Sequence, residues 1–132
     1  MDIQVTKENG RVPVTVFHLS GDLDGSNYEQ LETQVQQAIS DGANYLILDM
    51  SKVPYMSSAG IMAIHQIFAW LRELPGGEDE VALKTVLVDG TYKSRRLKLL
   101  KPSDRVQKAL STVGIDMYVE IHDDLRKAVA SF

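Results

Sequence analysis

The sequence predicts a single α/β domain, and three observations predict it. Apolar segments of two different periods alternate along the chain, turn residues stand at their joins, and 132 residues at 44% hydrophobic composition suffice for one core. No internal repeat, low-complexity tract or interdomain linker interrupts the pattern.

In "VPVTVFHLSGDLDGSN", Val14, Val16 and His18 alternate with Pro13, Thr15, Phe17 and Leu19, a period of two rich in β-branched residues that predicts a strand. The Gly21-Asp22 pair ends it. Tyr28, Leu31, Val35, Ala38 and Ile39 then recur at helical spacing, with Ser26 or Asn27 as N-cap and Gly42 as stop. The continuous apolar run from Tyr45 to Met50 suits a central strand covered on both faces. After "MSSAG", Ile61, Ile64, Phe68 and Leu71 fall on one helical face, flanked by Ile67 and Leu74, and "PGG" at 75–77 closes that helix.

"LKTVLVD" from Leu83 and "LKLL" from Leu97 read as strands, separated by exposed turns. Pro102 to Arg105 opens a helix whose buried stripe is Val106, Ala109, Leu110 and Val113, stopped by Gly114. "MYVEI" reads as a short strand. Asp123 or Asp124 caps a last helix with Leu125, Ala128, Val129 and Phe132 inward. This order implies consecutive parallel strands joined by helices, with functional groups expected where strands end and helices begin.

The chain carries no cysteine, which removes thiol catalysis, cysteine metal sites and disulfides and suits a reducing compartment. Its first residues hold no apolar stretch long enough for a signal peptide or a membrane span, so a soluble, cytoplasmic protein is expected. The net charge of −4 argues against nucleic-acid binding, which needs clustered positive charge. "KSRRLKLLK" gathers Lys93, Arg95, Arg96, Lys98 and Lys101 but lacks aromatic stacking residues, and reads as a solvated edge or a phosphate-facing patch.

The unusual join is Ser57-Ser58 between a strand and a helix. A hydrolytic triad of Ser58, His65 and Asp49 fails on spacing, because His65 lies about 10 Å along the same helix from Ser58 at ~1.5 Å per residue. No G-x-S-x-G elbow, Walker loop or G-x-G-x-x-G occurs. Asp22 and Asp24, which with Asp49 invite comparison with an acidic metal site, read as turn carboxylates bonded to nearby amides. One serine is expected to cap the helix through its side-chain oxygen, worth about 1 kcal/mol. A helix N-terminus also stabilises negative charge, so a phosphoryl group of about −1.5 to −2 charges is tolerated there. Gly60 and Ala59 in the first turn imply a close approach to the backbone, read as room for a docking protein. Met62 and Trp70 read as helix core or as part of that docking face.

Three blocks in order then resemble the STAS family, specifically the bacterial anti-sigma factor antagonists: "GDLDGSNYEQLETQVQQAI", "YLILDMSKVPYMSSAGIMAI" and "LKLLKPSDRVQKALSTVGIDMYVEIHDDLRKAV". They span most of the chain from Val12 to Val129. The resemblance implies one STAS-type domain over residues 1–132, with a mixed, mostly parallel sheet and about four helices. It also implies partner switching. The unphosphorylated antagonist binds a serine kinase that doubles as an anti-sigma factor, phosphorylation breaks that complex, and a metal-dependent serine phosphatase restores it.

Aligned on the family's D-S-[ST]-G, the phosphoacceptor is Ser58, with Ser57 the second candidate, and Asp22, Asp24, Ser57, Ala59, Gly60 and Met62 share the partner surface. Ser57 stands where the family has aspartate and Ala59 where it has a second hydroxyl, so the docking surface lacks one negative charge. Residues 75–96 exceed the family's usual link, as a hairpin or a partner-specific loop. The resemblance implies no cofactor, catalysis, direct nucleic-acid contact or membrane insertion. The alternative expectation is an unphosphorylated STAS scaffold subunit in a lipid-transport or stress-signalling assembly.

Overall fold

The computed structural model describes residues 1–75 and 93–132. Among the described residues the elements are, in order, β1 (Asp2–Asn9), β2 (Pro13–Ser20), α1 (Tyr28–Ser40), β3 (Leu46–Lys52), α2 (Ser58–Arg72), β4 (Leu97–Leu100), α3 (Asp104–Thr112), a 3-10 turn (Ile115–Met117), β5 (Glu120–His122) and α4 (Leu125–Ala130). The strands form one sheet in the order β1-β2-β3-β4-β5. β1 pairs antiparallel with β2, and the other three pairings are parallel. The sheet is therefore mixed and mostly parallel, with helices in the connections between parallel strands.

β1 is an element the sequence pattern did not show. Only Ile3 and Val5 are apolar in its eight residues, and nearly all of it is exposed, so it lacks the contrast that marks a half-buried strand. Its pairing with β2 positions it. The expected strand at Leu83 and the question of a hairpin lie mostly outside the described residues. "MYVEI" divides, with Met117 in the 3-10 turn and the strand starting at Glu120. Val113, expected to be buried, is exposed because Gly114, with φ of 81°, turns the chain away one residue later.

The two faces of the sheet differ. On one face, Phe17, Leu19, Leu46, Leu48, Met50, Leu97 and Leu99 meet Leu31 and Val35 of α1, Ile64, Ile67, Phe68 and Leu71 of α2, and Val106 and Leu110 of α3. Full burial of each such side chain contributes about 1.5–3 kcal/mol. On the other face α4 covers a smaller cluster, in which Ala128 and Val129 meet Val14, Val16, Ile47 and Leu100.

The basic run is largely structural. Arg96 and Lys98 are 5% and 2% exposed, which overturns a solvated edge for these two residues. Arg96 stacks on Tyr45 at 5.4 Å and donates to the carbonyls of Asn44 and Pro75, tying the start of β3 to the end of α2. Lys98 donates to Glu120 at 3.0 Å and lies 4.8 Å from the Phe132 ring.

Burial acts to raise the Glu120 carboxyl, but hydrogen bonds and charge from Lys98 and then His122 outweigh it and hold the group below its ordinary 4.5. A carboxyl depressed in the folded state stabilises the fold above its unfolded value and loses that contribution as pH falls through the folded value. Glu120→Gln is therefore expected to flatten the acid limb of the stability profile between about pH 5 and pH 3. Glu120→Ala, which leaves the Lys98 ammonium buried without its carboxylate, is expected to cost about 2 kcal/mol at neutral pH. Urea unfolding across pH measures both.

Candidate functional site

Two loops leave the carboxyl ends of neighbouring strands and cross. After β2 the chain runs through Gly21 to Asn27, and after β3 through Val53 to Ser57. Leu23 and Met56 form a single parallel bridge between them. The Leu23 N–H donates to the Tyr55 carbonyl at 3.0 Å, the Ser57 N–H to the Leu23 carbonyl at 2.9 Å, and the Gly21 N–H to the Lys52 carbonyl at 3.0 Å. Leu23 and Met56 are buried, at 0% and 5% exposure. The crossing brings Leu23, which Asp22 and Asp24 flank in the chain, onto the backbone of Met56 and Ser57.

The first loop is held by its own polar groups. Asn27 accepts the Asp24 N–H through Oδ1 at 2.9 Å and donates through Nδ2 to the Asp22 carbonyl at 2.7 Å. It starts α1 by position, without a side-chain cap bond. Asp24 accepts from the Ser26 hydroxyl at 2.6 Å and the Ser26 N–H at 2.9 Å, and these bonds, the hydroxyl first, lower its carboxyl pKa. Asp22 is exposed. Asp24 has its bonds within the turn, as expected of a turn carboxylate.

Ser58 is the first residue of α2 and is exposed. Ser57 is the N-cap, with φ −84° and ψ 174°, and its carbonyl accepts the first helical N–H, from Ile61 at 3.0 Å. The first-turn N–H groups of Ser58, Ala59 and Gly60 precede that bond, at the positive end of a 15-residue helix. The expected side-chain cap is not made. The Ser57 hydroxyl is buried and has no hydrogen-bond partner. Its conformation is that of an N-cap, but its oxygen is turned away from the helix amides.

Gly60 is explained from inside. A Cβ at this position would lie 2.8 Å from the Leu23 carbonyl oxygen, the Leu23 Cγ and the Met56 Cγ. Gly60 is itself buried, and the close approach it allows is to the loop crossing rather than to an incoming protein. Ala59 is half-buried, and the residues that face outward near Ser58 are Met62, 71% exposed, and Tyr55, 39% exposed. Arg105 of α3 lies 4.9 Å from the Tyr55 ring. Tyr55 and Arg105 were not picked out as site residues from the sequence. Their contact joins segments 50 residues apart, and no local pattern announces it. Trp70, at the other end of α2, packs partly against the core.

The side chains weighed for other chemistry lie elsewhere. His65 bonds the Tyr118 hydroxyl through Nδ1 at 2.9 Å, and Asp49 bonds His18, so neither joins Ser58 in a triad. Among the described residues, no three His, Asp or Glu side chains gather as metal ligands. No described helix is long and apolar enough to cross a membrane.

Comparison with known proteins places this architecture. The STAS domain family model matches residues 4–75, more than half of the chain. The chain belongs to the STAS domain family. A 58-residue stretch is 31% identical to the candidate anti-sigma factor antagonist BtrV of Bordetella bronchiseptica, covering 44% of this chain and half the length of that relative. An anti-sigma factor antagonist from Mycobacterium paratuberculosis superposes with a TM-score of 0.70 at 17% identity, over 98% of this chain and 93% of that one. The antagonist SpoIIAA in its unphosphorylated form gives 0.61 at 20% identity over 96% and 92% of the two chains. The Bacillus SpoIIAA structure in the phosphorylated form gives 0.62 at 20% over 97% and 96%. The fold is that of STAS anti-sigma factor antagonists.

The orphaned hydroxyl generates a test with an unusual sign. Removing a working Ser N-cap costs about 0.5–2 kcal/mol. Ser57→Ala removes a buried hydroxyl without a partner, so urea unfolding is expected to show unchanged stability or a gain of up to about 1 kcal/mol. A loss near 1 kcal/mol would show that the hydroxyl caps α2 in solution.

Proposed function

We propose that the protein is a phosphorylation-controlled regulatory binding module, an antagonist that engages an anti-sigma factor serine kinase while Ser58 is unmodified. The observation that carries this reading is the exposed Ser58 hydroxyl at the first position of α2, seated on a buried crossing of two loops in a STAS domain. Relatives of the same fold include an antagonist solved in unphosphorylated and phosphorylated forms, which supports a scaffold that accommodates both states.

The chemistry suits the position. The Ser58 Oγ attacks the γ-phosphorus of ATP held by the kinase, ADP leaves, and the hydroxyl proton passes to a base of the kinase. The product ester carries about −1.5 to −2 charges next to three free helix N–H groups. Modification thus adds charge to the surface without opposing the fold beneath it. A partner seated over Ser58, Met62 and Tyr55 meets a hydroxyl among these side chains before modification and a dianion in its place after it. Because Ser57 replaces the family's carboxylate, the unmodified surface lacks that negative charge, and phosphorylation changes its potential from a less negative start. A metal-dependent serine phosphatase would return the protein to its binding form.

Intact-mass measurement after incubation with the cognate serine kinase and ATP tests the assignment. Wild type is expected to gain one phosphate and Ser58→Ala none. Uptake retained in Ser58→Ala and lost in Ser57→Ala would move the acceptor by one residue. No uptake by wild type would favour the unphosphorylated scaffold role instead.

A further inference from the structure

A polar chain crosses the sheet below the site, on the face away from the large core, and the acceptor reading leaves it unused. Thr6 of β1 and His18 of β2 bond through Oγ1 and Nε2 at 2.8 Å. His18 and Asp49 of β3 are register partners and bond through Nδ1 and Oδ2 at 2.8 Å. The other carboxylate oxygen, Oδ1, accepts the backbone N–H of Ser51 at 3.0 Å. Three strands are thus tied together, and the chain ends on the backbone of β3.

It ends where the register slips. His18 opposes Asp49, but Ser20 opposes Lys52, so two steps along β2 match three along β3. Such an extra residue bends its strand and re-aims the segment after it. In β3 that segment is the second loop of the crossing. Val53 donates to the Met50 carbonyl at 3.1 Å, Gly21 to Lys52, Leu23 to Tyr55 and Ser57 to Leu23, and then α2 begins. Burial acts to raise the Asp49 carboxyl, but the bonds from Ser51 and His18 outweigh it and hold the group ionised below its ordinary range. The acceptor of the Ser51 N–H is therefore a charged one, which makes the stronger kind of hydrogen bond.

We infer that Asp49 is a positioning residue for Ser58. Its carboxylate, oriented by His18, fixes the bulge in β3 and through it the loop crossing on which the N-terminus of α2 rests. The consequence for phosphorylation rests on Ser58 being the acceptor, whereas the consequence for the loops does not. Neither His18 nor Asp49 touches Ser58 directly.

Residue-resolved amide hydrogen exchange on the full chain tests the inference without any kinase. In Asp49→Ala, exchange at Ser51, Leu23, Val53 and Ser57 is expected to quicken about tenfold, with Leu31 and Val35 of α1 and Leu99 of β4 unchanged. Asp49→Asn keeps an oxygen for the Ser51 N–H and is expected to return these rates to within about twofold of wild type. His18→Ala, which frees the carboxylate to turn but leaves it in place, is expected to give an intermediate rise. A uniform rise across the molecule, no rise at Leu23 and Ser57, or an Asn variant as fast as the Ala variant would overturn the inference.

A second arm measures initial rates of phosphate uptake with the cognate serine kinase and ATP. Asp49→Ala is expected to slow uptake about fivefold and Asp49→Asn to leave it near wild type, the pattern of misplacement of an acceptor. Local quickening of exchange with an unchanged uptake rate would overturn the role for Asp49 in presenting Ser58. Absence of uptake in wild type would instead remove the acceptor reading, and the exchange pattern would still decide the loop geometry.

Discussion

The site depends on one close contact, the backbone of α2 at Gly60 lying against the Leu23 and Met56 crossing. Leu23 and Met56 tie two loops that come from different strands, and both are buried under the first turn of the helix. The space allows no Cβ at position 60 without displacing the Leu23 carbonyl, which also accepts the Ser57 N–H. The residue that sets where α2 begins is thus bonded to the residue that limits how closely α2 sits. An exposed hydroxyl at Ser58 is presented from this anchored base rather than from a free loop.

The two faces of the sheet divide the labour. A cluster of buried apolar residues on one side joins α1, α2 and α3 to the sheet and holds the base of the site. Among the described residues, the other side has the short α4 over Val14, Val16 and Ile47, and Thr6, His18 and Asp49 linked across strands. A polar half-face needs no apolar cover. Lys98 and Glu120 close the same face at its far edge, with the Lys98 stem buried and its ammonium paired. Near Ser58, the first-turn amides at the start of α2 favour negative charge.

Most of the fold could be read from the sequence because its elements carry strong local signals. The apolar run of β3, the one-sided stripes of α1 and α2, the helix start at Pro102 to Arg105 and the cap at Asp123 or Asp124 were legible; Ser103 and Asp124 accept the Val106 and Lys127 N–H groups. β1 was missed because an exposed edge strand has little hydrophobic contrast. Of the site, the Ser57-Ser58 join and its place before α2 were legible from the helix signal and the family pattern. The reason for Gly60 was not, since two of the three atoms it accommodates lie 37 residues earlier in the chain, at Leu23. The idle Ser57 hydroxyl was equally hidden, because N-cap sequence preference reports the residue type and not which way its oxygen turns. Tyr55 with Arg105, and His18 with Asp49, are pairings only tertiary structure supplies.

The most direct measurement of the central contact is a double-mutant cycle in urea between Gly60→Ala and Leu23→Ala. Alone, Gly60→Ala is expected to cost about 2 kcal/mol through overpacking. If α2 rests on the Leu23 side chain, that cost shrinks in the Leu23→Ala background, where the Cγ is gone, giving a coupling of about 1 kcal/mol or more. Costs that add to within about 0.3 kcal/mol would put the clash on the Leu23 carbonyl and Met56 rather than on the Leu23 side chain, and a Gly60→Ala cost below about 0.5 kcal/mol would contradict the close contact itself.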